Sequence, residues 1–150
     1  MDVATIVSQL TSHAKKTGLF TSVNTHEPKS APANGLTCCI WAETIGPVKG
    51  GSGLDITSAY VVMSVRIYMS MLQQPYDAID PKMIQAVDKM MSEYSGSFTL
   101  GGNVRAVDLF GMYGTSLSSR AGYINQDGKM YRIVTISLPL IINDTWTESP

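Results

Sequence analysis

Residues 130–142, MYRIVTISLPLII, leave this chain few choices of fold. Met130, Arg132, Val134, Ile136, Leu138, Leu140 and Ile142 fall on one face of an extended chain, and Tyr131, Ile133, Thr135, Ser137 and Ile141 on the other. A period of two in a stretch rich in β-branched residues predicts a long strand that buries one face. Asp127-Gly128 stands just before it and suits a two-residue turn whose central residues need positive φ. Residues 104–146 therefore read as a glycine-punctuated approach followed by a long hairpin, the spine of a sheet.

A second long strand is expected over residues 57–72. Ala59, Val61, Met63, Val65, Ile67, Met69 and Met71 form its one face, and Tyr60, Val62, Ser64, Arg66, Tyr68 and Ser70 the other. At about 3.3 Å per residue it reaches roughly 50 Å, more than a small domain needs, so it projects past its sheet or carries a bulge. Shorter strands are expected at 19–25, 36–45 and 97–100. Between them lie a Pro-containing loop at 26–35 and a loop with four glycines at 46–55 that carries Lys49, Gly50 and Gly51. The latter lacks the Lys-Ser/Thr pair opening a helix that a phosphate loop requires.

Asp2 can cap a helix with Val3, Ile6, Val7, Leu10 and Ala14 at helical spacing, ended by Gly18, with His13 on its polar face. Asp80-Pro81 starts a second helix whose buried face is read as Met83, Ile84, Val87, Met90, Met91 and Tyr94. The order α-β-β-β-α-β-β-β, with hairpins in place of repeated βαβ units, predicts an α+β fold: a mostly antiparallel sheet with two helices packed on one face. The outer sheet face mixes Trp41, Tyr60, Tyr68, Tyr131 and Ile133 with hydroxyl residues, which suggests a covering partner, often a second copy. Residues 143–150 lose periodicity and read as an exposed arm.

The 150 residues suit one domain. A net charge of −1 with 15% charged residues advertises neither nucleic-acid nor acidic-membrane binding. The start lacks the basic and apolar regions of a secretory leader, and no apolar run approaches the ~20 residues that span a bilayer. Cys38 and Cys39 are adjacent, with Cα atoms ~3.8 Å apart and side chains on opposite strand faces, so two free thiols are expected. His13 and His26 have no acids or cysteines at metal-ligand spacing, so no metal or other cofactor is expected. The acids are dispersed; Asp80 and Asp127 read as cap and turn. Asp108 reads as the partner of Arg105, within one chain or between subunits. No catalytic constellation emerges, and the reading is of a protein that is not an enzyme.

The run Arg105-Ala-Val-Asp108-Leu109-Phe110-Gly111-Met112-Tyr113-Gly114, then Leu117, Gly122-Tyr123, Asp127-Gly128, Tyr131-Arg132, Leu138-Pro139-Leu140 and Trp146, resembles tail terminator (tail completion) proteins of long, non-contractile-tailed bacteriophages. Chain length and element order agree across most of the chain; residue-level likeness is concentrated in 105–146. The resemblance implies one domain over 1–150 and a structural virion protein at the head-tail interface, made in the host cytoplasm. It implies a homo-hexameric ring that caps the tail tube, stops its polymerisation and presents a surface to the head-tail connector protein. DNA would pass transiently and non-specifically through the ring, and no membrane is involved. Contacts are then expected at Lys49, Gly50, Gly51, Tyr60, Arg66, Tyr68, Arg105, Asp108, Phe110, Met112, Tyr113 and Arg132. Two other readings remain open at this stage. A connector or tail-tube subunit would polymerise or sit elsewhere in the virion, and a small enzyme or ligand-binding domain would show a pocket where a cysteine, a histidine and an acid converge.

Overall fold

The computed structural model describes residues 3–26, 35–48, 56–70, 79–96 and 98–147. The elements are α1 (Val3–Lys16), β1 (Ser22–Asn24), β2 (Thr37–Pro47), β3 (Ile56–Ser70), α2 (Ile79–Ser95), β4 (Ala106–Val107), β5 (Ser118–Gln126) and β6 (Lys129–Thr147). The fold is α+β, built on a strongly curled, mostly antiparallel sheet in the order β1-β2-β3-β6-β4, with β5 also pairing β6. Among the described residues the one parallel pair is β1 with β2.

The two segments with the strongest alternation became the central pair. β3 and β6 run antiparallel from Ser70↔Tyr131 to Ile56↔Thr147, with one register irregularity between Thr57 and Ala59. A second lies between Ala42 and Thr44 on β2. The length of β3 is thus accommodated by β6, which is longer still, together with bulges that bend the sheet. The β5–β6 turn has the anticipated form: Gln126 pairs with Lys129, and Asp127 and Gly128 take φ of 53° and 77°.

β6 shares its far edge between two partners, β5 along residues 129–137 and β4 at 140–141. Pro139 sits at the changeover. Its carbonyl accepts the Asp108 N–H at 3.0 Å. In an antiparallel ladder the N–H and C=O of one residue point to the same side. The proline's missing N–H therefore falls in the gap between β5 and β4, where it removes no bond to β3.

Both helices cover one face. Ile6, Leu10 and Ala14 of α1 and Ile79, Met83, Ala86, Met90 and Tyr94 of α2 join the inward residues of β2, β3 and β6 in one buried cluster. Arg132, at the α2 end of β6, donates from Nε to Asp80 at 3.1 Å and ties the helix start to the sheet.

Several expectations change. Residues 98–100 form no strand: Leu100, Gly101 and Gly102 are a turn with positive φ, and the short strand lies later, at β4. The arm expected from residue 143 is the end of β6 as far as Thr147, because Trp146 and Thr147 pair with Thr57 and Ile56. α2 begins at Ile79, ahead of Asp80-Pro81, and Ile84 is 66% exposed while Ala86 takes the buried place. His13 leaves the polar face of α1 and packs edge-on against Phe98 at 5.0 Å, with Tyr94 at 5.7 Å. The capping role of Asp2, the 49–51 loop and residues 71–72 lie outside the described residues.

Candidate assembly interface

Two clusters on the outer sheet face are buried within one chain. Tyr60 and Val62 of β3, Ile141 of β6 and Val48 form one buried cluster, against which Tyr113 packs. Cys39, Tyr68 and Tyr131 form another, with Trp41, Ile124 and Ile133 beside it. Tyr60 and Tyr68, expected among the contact residues, are buried within the chain itself. Tyr68 meets Tyr131 edge-on at 6.3 Å.

The cover over the first cluster is the loop of residues 108–116, and its construction is specific. Asp108 is buried, and its carboxylate accepts the N–H groups of Met112 at 2.8 Å and Tyr113 at 3.0 Å. Charge-assisted bonds of this kind are about twice as strong as neutral ones. The Tyr60 hydroxyl accepts the Thr115 N–H at 2.7 Å and donates to the Thr115 carbonyl at 2.8 Å. Gly111 has φ of 73°, and a Cβ there would meet the Ser116 nitrogen at 3.0 Å. Glycine is required where the two halves of the loop close on each other.

Fastened at both ends, this loop holds out Phe110, 89% exposed, and Met112, 81% exposed. Two large apolar side chains thus stand side by side in solvent on an anchored loop.

The Arg105–Asp108 pair does not form within the chain. Arg105 is exposed and donates from Nη1 to Asn143 Oδ1 at 3.4 Å, while Asp108 turns inward to the loop amides. A carboxylate three residues after an arginine carries no sign of which backbone amides will curl onto it. Arg132 is likewise used internally: besides Asp80, it donates from Nη1 to the Gly122 carbonyl at 3.2 Å and lies 4.5 Å from the Tyr123 ring.

Of the twelve expected contact residues, Tyr60, Asp108, Phe110, Met112 and Tyr113 come together at this loop. Arg105 lies at its base, and Arg66 and Tyr68 stand further along the outer face. Arg132 belongs to the opposite, helix-bearing side, and Lys49, Gly50 and Gly51 lie outside the described residues.

Cys38 and Cys39 are free and buried on opposite faces, one in each of two clusters. Burial raises both thiols above their ordinary range. Among the described residues, no three of His, Cys, Asp and Glu gather as metal ligands. No helix among them is long and apolar enough to cross a membrane. No protein-family model matches the chain, and no curated protein matches it significantly.

Proposed function

We propose that this chain is a structural assembly protein that caps a bacteriophage tail tube as a tail terminator. It would form a homo-hexameric ring, stop tube polymerisation and offer its free side to the head-tail connector protein. The observation that carries the reading is the anchored loop with Phe110 and Met112 held in solvent, within the stretch whose residues resemble that family. A protein that works by fitting other proteins needs contact residues already fixed in place, because ordering them on binding costs about 0.5–1.5 kcal/mol per side chain.

The near-neutral charge agrees with a ring through which DNA passes without being held. Its place would be the virion, at the head-tail interface, after synthesis in the host cytoplasm. Assembly would run through interface geometry, with no bond made or broken.

Negative-stain microscopy of the purified protein, with and without tail tubes, tests this directly. Closed rings or capped tube ends are expected. Open-ended polymers of the protein alone would make it a tube subunit, and monomers beside bare tubes would end the terminator reading.

A further inference from the structure

Away from the 108–116 loop, the outer face of the sheet places two arginines in one row. Arg66 of β3 and Arg120 of β5 each stand directly across from Thr135 of β6. Residues in cross-strand register point to the same face, and two strand spacings put the arginine Cα atoms roughly 10 Å apart. The row on one side is Ser64, Ser137 and Ser118; the row on the other ends in Gly122, opposite Ile133. Small side chains beside long ones leave a hollow, and a groove of about 530 Å³ opens there, lined by Arg66, Arg120, Thr135, Ser118, Ser137 and Glu43 among others.

The two arginines are prepared differently. Arg66 is held in place: its Nε donates to Thr135 Oγ1 at 2.9 Å, and its guanidinium lies 5.3 Å from the Trp41 ring. The Thr135 hydroxyl accepts that bond and keeps its own proton to donate. Arg120 is exposed and has no hydrogen-bond or ion-pair partner among the described residues. Glu43 is fixed at the groove's end, accepting the Ser64 hydroxyl at 2.9 Å.

We propose that this groove binds a phosphate group, held between the Arg66 and Arg120 guanidiniums with hydroxyl donors of Thr135 and Ser137 beside it. A planar carboxylate is satisfied by one guanidinium in a two-point contact; two guanidiniums and two hydroxyls around one hollow suit the larger set of oxygens on a tetrahedral anion. Arg120 closes on the anion from the free edge strand, while Arg66 is already fixed by its bonds to Thr135 and to the Tyr68 hydroxyl. The phosphate can be inorganic or part of a nucleic-acid backbone. This site is independent of the terminator reading, and either can fail without the other.

The test is an NMR titration of the labelled protein with inorganic phosphate, and separately with a short oligothymidylate, at constant ionic strength set by sodium chloride. Saturable shifts of residues 118–122 and 133–137 are expected, and Arg120→Gln weakens binding about tenfold while its spectrum elsewhere stays native. Arg66→Lys, which keeps the charge but loses the two-armed guanidinium, is expected to weaken binding as well. Oligothymidylate binding more tightly than phosphate, with the same dependence on Arg120, assigns the source to nucleic acid; the reverse order assigns it to free phosphate. No saturable shift with either probe overturns the proposal. So does an undiminished titration in Arg120→Gln, or equal binding of glutamate, which would make the groove a carboxylate site.

Discussion

The Tyr60 hydroxyl satisfies both backbone groups of Thr115, as acceptor at 2.7 Å and donor at 2.8 Å. Tyr60→Phe keeps the ring in its cluster and removes both bonds, so urea unfolding is expected to give a loss of about 1–3 kcal/mol. Tyr94 is the opposite case. It is fully buried between the helices and the sheet, and its hydroxyl has no partner among the described residues. Burying that oxygen without a bond is costly, so Tyr94→Phe is expected to be neutral or to raise the melting temperature. His13 adds a pH dependence. Burial beside Tyr94 and Phe98 lowers its pKa, Glu93 at 3.9 Å works against that, and Lys16 and Lys89 reinforce it. The fold thus favours neutral imidazole, and below the unfolded value of about 6.5 the unfolded chain binds more protons than the native one. Stability from this group is full above that value and falls as pH drops toward the lower native pKa. Melting curves collected from about pH 7 downward should show this decline, and His13→Gln should flatten its first part.

At the scale of elements, the β5–β6 hairpin depends on its turn more than on contacts at the tip. Gly128 has φ of 77°, and a Cβ there would meet nothing within 4 Å. The cost of Gly128→Ala is therefore conformational, about 1–2 kcal/mol for an L-residue in the left-handed region, and it is read in chemical denaturation. The same hairpin carries Arg120 on its free edge strand, so a loosened turn should weaken the phosphate groove along with the fold. β6 explains why one strand can serve so many neighbours: it pairs β3 along one edge and divides the other between β5 and β4 around Pro139. The changeover brings residues 108–116 over the outer face, and the loop that holds out Phe110 and Met112 follows from that crossing.

At the scale of the whole molecule, stability and assembly should separate. Phe110 and Met112 contribute almost nothing to the buried interior. The double change Phe110→Ser with Met112→Ser is expected to leave the unfolding midpoint within about 0.5 kcal/mol of the parent, as surface substitutions do. In the proposed ring it abolishes assembly, which light scattering measures as a fall from the oligomer's mass to the monomer's. Retention of the full assembly mass would show that the loop is not the contact. Asp108→Ala differs, because it releases the Met112 and Tyr113 amides and loosens the loop that presents both residues; it should weaken stability and assembly together.

The sequence by itself determined the α+β class, both helices, the central strand pair and the Asp127-Gly128 turn. Those follow from local rules, a side-chain period of two or of 3.6 and a turn that demands positive φ, and local rules can be read without knowing the neighbours. Ile84 and Ala86 mark the limit of that reading, since a helical stripe leaves its edges open until the sheet beneath sets how the helix rolls. Register was beyond it. Arg66, Thr135 and Arg120 lie far apart in the chain and become one row only when three strands pair. Asp108 shows the same limit in a smaller space: beside Arg105 in sequence it reads as an ion pair, and in the fold it fastens the loop that carries Phe110 and Met112. The opening hairpin was legible because a strand's two faces are written in alternate residues; what lies across from it was decided by the tertiary structure.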